Sequence, residues 1–183
     1  GEAEFTGKGV SYCATCDGAF FRNKITAVVG GGDVAVEDAI YLARMCEKVY
    51  LIHRRDEFRA AKSLVNKAKN TENIELVLDS TVERISGEAK VSSIEVKNKI
   101  TGNTDEFAVD GVFFAVGMQP VTAFVDKSVQ MNEAGYIVAG EDCATNVPGV
   151  YAAGDIRTKQ LRQIITAAAD GANAVASVEK YIL

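Results

Sequence analysis

The strongest constraint on the fold of this chain lies between residues 25 and 45. Ile25-Thr26-Ala27-Val28-Val29 is a short apolar, partly β-branched run leading into Gly30-Gly31-Gly32-Asp33-Val34-Ala35. A run of this kind, bounded by glycines, reads as a buried parallel strand. Beyond the glycines, Ala35, Ala39, Leu42 and Ala43 recur near helical spacing, which predicts a helix from Asp33 to about Met45. Strand, glycine turn and helix in direct succession open a doubly wound α/β domain. In the pattern Gly30-x-Gly32-x-x-Ala35 the first position permits a tight turn. The second lets the backbone approach a pyrophosphate, and the third lets the helix pack closely on the strand. Glycines alone are weak evidence, but here the strand before and the helix after supply the context that a dinucleotide site needs. The competing reading is a purely structural turn.

Val49-Tyr50-Leu51-Ile52 reads as a second buried strand, and Phe58 through Lys69 returns to helical periodicity through Ala61, Leu64, Val65 and Ala68. An NAD site usually carries an acidic residue about 20 positions after the turn, to accept from the ribose 2′-hydroxyl. This chain instead offers His53-Arg54-Arg55, then Arg59 one helical turn on. Guanidinium forks match the charge and geometry of a 2′-phosphate, so the pattern favours NADPH over NADH. A solvated basic face is the alternative.

Strand-like runs follow at Ile74–Leu78, Val82–Ile85, Val91–Val96 and Phe107–Val109, with Thr101-Gly102-Asn103 as a hairpin turn. Gly111-Val112-Phe113-Phe114-Ala115-Val116 is a last apolar strand, ending at Gly117 with Pro120 beyond, and a domain boundary is placed there. The expected fold is α/β: a Rossmann-like doubly wound NADPH-binding domain with an added antiparallel β meander over residues 1–116, then a second segment over 117–183. That segment holds Val150-Tyr151-Ala152-Ala153-Gly154-Asp155 and a helix from about Ile164 to Tyr181. Ile164, Ala168, Gly171, Val175, Val178 and Ile182 give the helix one apolar face.

Just ahead of the first strand stands Cys13-Ala14-Thr15-Cys16-Asp17. A C-x-x-C cycles between dithiol and disulfide. Zinc is the first competitor, but a closed site takes four ligands, and Cys46, Cys143 and the single histidine are scattered. Inert thiols are the second. A thioredoxin-like domain does not fit, because a strand follows Cys16 where a long helix is needed. Four cysteines in 183 residues are too few for a disulfide scaffold and suit a reducing compartment. Asp17 beside the pair reads either as the acid/base that thiol exchange requires or as a simple turn residue. Cys46 falls on the predicted helix and reads as a buried inert thiol, and Cys143 lies in a loop; neither is given a role. A net charge of −5 argues against a general nucleic-acid binder. No apolar run approaches a membrane span, and the start lacks the layout of a signal peptide.

Four segments together resemble the low-molecular-weight, bacterial-type thioredoxin reductases: Val10-Ser11-Tyr12-Cys13-Ala14-Thr15-Cys16-Asp17-Gly18, Gly30-Gly31-Gly32-Asp33-Val34-Ala35-Val36-Glu37, His53-Arg54-Arg55-Asp56-Glu57-Phe58-Arg59-Ala60 and Gly149-Val150-Tyr151-Ala152-Ala153-Gly154-Asp155. The resemblance implies a cytoplasmic, homodimeric flavoenzyme in which NADPH reduces FAD, FAD reduces the C-x-x-C disulfide, and the dithiol reduces thioredoxin. It implies that Cys16 faces the flavin, Cys13 attacks the substrate disulfide and Asp17 is the acid/base. Gly30, Gly32, Asp33, Val34, Ala35 and Glu37 would surround the pyrophosphate and ribose, with His53, Arg54, Arg55 and Arg59 on the 2′-phosphate. Gly117, Gly154, Asp155, Arg162, Gln163 and Ile164 would belong to the FAD site, making 117–183 the carboxy-terminal part of an FAD-binding domain. Dithiol and nicotinamide site share one domain, which the resemblance expects to rotate about hinges near Gly1 and Gly117. Two departures stand out. The family carries an amino-terminal FAD domain with its own G-x-G-x-x-G, and this chain has one such turn; it reads as cut from something longer, holding NADPH but not FAD. Val121 stands where the family usually has asparagine. An alkyl hydroperoxide reductase flavoprotein and a non-enzymatic NADP-binding module are the rival readings, and a ferredoxin-linked relative would be expected to lack the arginines.

Overall fold

The computed structural model describes all residues from Gly1 to Leu183. The chain divides into two compact units, Gly1–Val116 and Gly117–Leu183. The first opens with a single helical turn, α1 (Glu2–Phe5), and a two-residue strand, β1 (Val10–Ser11). A second short turn, α2 (Ala14–Asp17), carries the cysteine pair. Then come β2 (Ile25–Gly30), α3 (Asp33–Ala43), β3 (Lys48–Ile52), α4 (Lys62–Lys69) and β4 (Ile74–Val77). Three antiparallel strands follow, β5 (Ser80–Gly87), β6 (Val91–Asn98) and β7 (Thr104–Ala108), before β8 (Gly111–Ala115) returns to the main sheet.

The main sheet is parallel, in the order β1-β8-β2-β3-β4. Because β2 lies between β8 and β3, its Ala27 and Val28 are fully buried, as expected of a central parallel strand covered on both faces. On one face Val28, Val49, Leu51 and Phe113 pack against Ala35, Val36, Ala39 and Leu42 of α3 and against Ala68 of α4. On the other, Ala27, Ile52 and Val112 meet Ile85, Val91, Ile94 and Val96 of the β5-β6-β7 sheet. The meander therefore supplies the second covering layer that helices supply in a simple doubly wound domain. Each fully buried Leu, Ile or Phe among these stabilises the unit by about 1.5–3 kcal/mol.

Two local expectations need correction, and one short strand went unread. The helix predicted over 58–69 begins only at Lys62. The preceding residues use their donors elsewhere: the Arg59 N–H goes to the Gly31 carbonyl at 2.8 Å and the Ala61 N–H to Asp33 Oδ1 at 2.8 Å. Cys46 lies beyond the end of α3, in the turn before β3, though it is buried as expected. β1 has no periodic signal in the sequence, because two residues are too few to show one.

The second unit is mostly irregular, with a small core of Val129, Ile137, Ala139 and Ala152 and one long helix, α5 (Ile164–Ile182). The apolar face read from the sequence is the outward one: Ile164 is 91% exposed, Val175 62% and Ile182 72%. The inward face is small and polar instead, and Asp170 is its only buried residue. There Asp170 accepts from Arg157 Nε at 2.7 Å and Nη2 at 2.6 Å, from Lys159 Nζ at 2.8 Å and from the Gly154 N–H at 2.9 Å. A buried carboxylate must be paired, and that need sets the rotation of the helix. The same partners hold the Asp170 carboxyl far below the usual carboxylate range, with Arg157 the chief cause.

Candidate functional site

Three segments leave the carboxyl ends of parallel strands on the same edge of the main sheet. Cys13 follows β1, Gly31 follows β2 and His53 follows β3. This is the edge at which open α/β sheets bind their ligands.

At the first of these, Cys13 and Cys16 form a disulfide with an S–S distance of 2.06 Å and a Cα separation of 5.3 Å. Cys13 caps α2, and its Sγ accepts from the Cys16 N–H at 3.2 Å. Cys16 is exposed and Cys13 half-buried. Asp17 is tied to the pair in two ways. Its own N–H donates to the Cys13 carbonyl at 3.1 Å. Its Oδ2 accepts from Ser11 Oγ at 2.7 Å, while that same hydroxyl accepts from the Cys13 N–H at 3.1 Å.

At the second segment each glycine meets a different demand. A Cβ on Gly30 would overlap the Ala115 carbonyl and come within 2.6 Å of Ala35 Cβ, so this position serves close packing of α3 on the sheet. Around Gly32 there is nothing within 4 Å of a Cβ. Gly32 is also the N-cap of α3 and provides no side-chain cap. The first N–H groups of an eleven-residue helix thus open onto free space, the arrangement that accepts a phosphate. Asp33 and Glu37 are exposed beside it, and Val34 is 61% exposed. On the next turn burial, reinforced by Glu37, raises the Asp38 carboxyl to about 6.

The third segment brings the basic residues to this turn. Arg54, Arg55 and Arg59 are all exposed. The hydrogen bond from Arg59 N–H to the Gly31 carbonyl anchors their loop to the glycines. His53 is placed differently. It is only 6% exposed, stacks on Phe58 at 5.2 Å between ring centroids, and its Nε2 lies 3.1 Å from the Glu57 carbonyl. Its ring fills the space a side chain at position 31 would need. Burial lowers its pKa, and Arg55, Arg54 and Arg59 lower it further, which keeps the imidazole neutral near pH 7. The structure therefore gives His53 the part of a packing block under the turn, and Phe58, absent from the sequence-derived candidates, that of its backing. The residues present fit a dinucleotide with a 2′-phosphate: open helix N–H groups for the pyrophosphate and exposed guanidiniums for the added charge.

In the second unit, Gly154 (φ +82°) begins a short 3₁₀ turn through Ile156. Arg162 Nε donates to the Asp155 carbonyl at 3.3 Å, and its guanidinium lies 4.0 Å from the Tyr136 ring centroid. Gln163 caps α5 in a reciprocal box with Thr166, leaving Ile164 exposed beside it. Gly154, Asp155, Arg162, Gln163 and Ile164 thus gather at the start of α5. Gly117, with φ +104° and open space about it, stands at the start of the unit. Asp170, Arg157 and Lys159, which hold the turn in place, escaped the sequence reading; the one signal was an acidic residue inside an alanine-rich helix. Cys143 is fully buried, with its Sγ 3.3 Å from the Asp170 carbonyl, and burial raises the pKa of both Cys143 and Cys46.

A disulfide and a dinucleotide turn on one sheet edge define a class of two-electron oxidoreductases that couple nicotinamide to cysteine. The sequence profile described as "Pyridine nucleotide-disulphide oxidoreductase" matches residues 1–171, and the chain belongs to that family. Among curated relatives, a thioredoxin reductase of Helicobacter pylori is 50% identical over 188 residues, covering 100% of this chain and 60% of the relative. One from Peptoclostridium acidaminophilum is 47% identical with the same coverage. The crystal structure of thioredoxin reductase from Streptococcus pyogenes superposes with a TM-score of 0.91 at 45% identity, covering 96% of this chain and 57% of that one. The chain spans about 60% of the length of the curated relatives it matches.

Proposed function

We propose that this chain carries the NADPH-binding and dithiol parts of a thioredoxin-disulfide reductase. In this reading residues 1–116 bind NADPH and hold the redox pair, while 117–183 contribute to an FAD site. The observation that carries it is the shared edge: the Cys13–Cys16 disulfide, the open N-terminus of α3 and the arginine loop follow β1, β2 and β3 at the carboxyl end of the main sheet. Bound NADPH and FAD supply a hydride and a two-electron relay. The protein's own part begins with the N–H groups of Asp33, Val34 and Ala35, which hold the pyrophosphate. Arg54, Arg55 and Arg59 neutralise the 2′-phosphate and so select NADPH. The Cys13–Cys16 disulfide takes up two electrons and two protons and becomes a dithiol. Cys13 then attacks the disulfide of thioredoxin, Cys16 resolves the mixed disulfide, and both protons leave with the reduced thioredoxin. Asp17 exchanges a proton with the pair during these steps. The same reading carries a cytoplasmic homodimer, and the two remaining thiols, Cys46 and Cys143, are unpaired, as a reducing compartment keeps them.

A single-turnover experiment tests the reading. The chain, reduced with dithiothreitol and desalted, is expected to reduce one equivalent of oxidised thioredoxin, read by thioredoxin's fluorescence. Cys13→Ser abolishes the transfer, and Cys16→Ser arrests it as a mixed disulfide through Cys13 visible by mass. A reduced wild-type chain that leaves thioredoxin oxidised refutes the proposal.

A further inference from the structure

A short polar contact beside the redox pair, from Ser11 Oγ to Asp17 Oδ2 at 2.7 Å, belongs to a residue with no place in the chemistry so far. Ser11 is 5% exposed, at the end of β1, where pairing opposite Phe113 of β8 fixes its backbone. Its hydroxyl has one proton to give and lone pairs to accept with. The proton goes to Asp17 Oδ2 at 2.7 Å rather than to the Cys13 carbonyl at 3.4 Å, and the oxygen accepts from the Cys13 N–H at 3.1 Å. The result is a continuous relay from the Cys13 backbone through Ser11 to the Asp17 carboxylate. Without Ser11 that carboxylate, on a half-buried residue of a four-residue helix, would be free to turn to solvent.

We propose that Ser11 is a positioning residue of the redox centre, acting through Asp17. It holds the Asp17 carboxylate at a fixed point beside the pair, so that proton exchange with the cysteines needs no search. The inference rests on the reading of Cys13 and Cys16 as a redox pair. In the step concerned, a cysteine S–H passes its proton to Asp17 while the sulfur attacks one sulfur of an acceptor disulfide. That bond breaks and the first acceptor thiolate leaves, taking up a proton. The second cysteine then loses its proton and attacks the mixed disulfide, closing Cys13–Cys16 and releasing the second acceptor thiol. Two electrons and two protons have passed to the acceptor. A serine that merely stabilised the bend between β1 and α2 would have the same contacts, but its loss would act independently of Asp17.

A double-mutant cycle on the full chain separates the two. The reduced protein is mixed with oxidised glutathione, acid-quenched and alkylated, and the state of Cys13 and Cys16 is read by peptide mass, so that Cys46 and Cys143 do not contribute. Ser11→Ala is expected to slow closure of the pair about tenfold, the size of a lost charge-assisted hydrogen bond. Asp17→Asn slows it at least as much, and adding Ser11→Ala to Asp17→Asn changes the rate by less than about twofold. Ser11→Thr, which keeps the hydroxyl, retains the rate to within about twofold where alanine loses it. Equal slowing by Ser11→Ala in both backgrounds, no slowing at all, or a threonine variant as slow as the alanine one overturns the inference and leaves the redox reading standing. A wild-type pair inert to glutathione overturns the redox reading, and the inference with it.

Discussion

Placing a methyl group on Gly31 should break the first unit at the one point where glycine turn and arginine loop meet. An ideal Cβ at Gly31 overlaps Cε1 and Nδ1 of His53 and comes within 2.6 Å of Nε2. The ring cannot retreat cheaply, since it is buried, backed by Phe58 and joined to the Glu57 carbonyl. Expelling it forfeits a hydrogen bond of about 1 kcal/mol and a ring contact of about 0.5–1.5 kcal/mol. Shifting the backbone instead costs about 1–3 kcal/mol, as overpacking usually does. Either way Gly31→Ala is expected to destabilise the unit by about 2 kcal/mol. The assay is urea unfolding followed by far-UV circular dichroism, beside calorimetric titration with NADPH. Because Arg59 is anchored on the Gly31 carbonyl, NADPH affinity should fall with the stability, by about tenfold if one phosphate contact is lost. Adding His53→Ala makes room for the methyl group. The double variant should therefore lie at least about 1 kcal/mol above the sum of the two single losses. Additive losses, or a Gly31→Ala protein within about 0.5 kcal/mol of wild type, would show that the ring is not the obstacle.

Other outcomes can be checked alongside. Replacing Arg54 and Arg55 together by alanine should erase most of the preference for NADPH over NADH in calorimetry, each lost charge-assisted contact costing about 1.5–3 kcal/mol. Asp170→Ala leaves Arg157 and Lys159 buried without their carboxylate, and should destabilise the second unit by about 3–5 kcal/mol. Hydrogen exchange should show this as lost protection around Gly154–Ile156, with the main sheet unchanged. Asp38, with its folded value of about 6 above the ordinary 3.8, binds more protons folded than unfolded in that window. Its burden on stability therefore grows as pH rises from about 4 to 6, and Asp38→Asn should stabilise the fold by about 1 kcal/mol at pH 7, discounted for its partial exposure. Urea midpoints should show no such gain near pH 4. His53 has the opposite sign: its lowered pKa means that stability is lost as pH falls through about 6.5, and His53→Gln should flatten that loss.

The parts legible in the sequence are those whose chemistry is local. A C-x-x-C pair needs only its own spacing to close a disulfide. The glycine turn needs only the strand before it and the helix after it, and Arg54, Arg55 and Arg59 need only to follow the second strand. What tertiary structure decided depends on residues far apart in the chain. His53 looked like one more basic group in a run, and became a buried neutral block because Gly31, at the end of the neighbouring strand, leaves a hole of its shape. α4 starts late because residues 58–61 form a loop tied to the glycine turn, with the Arg59 and Ala61 donors held by Gly31 and Asp33. Periodicity found the apolar stripe of α5, but not the buried polar face opposite it. The buried ion cluster of Asp170, Arg157 and Lys159 outweighs that stripe within this chain, since an unpaired buried charge costs more than exposed isoleucine and valine. Ser11 is the sharpest case: a lone serine carries no pattern, and only the pairing of β1 with β8 sets its hydroxyl between Cys13 and Asp17.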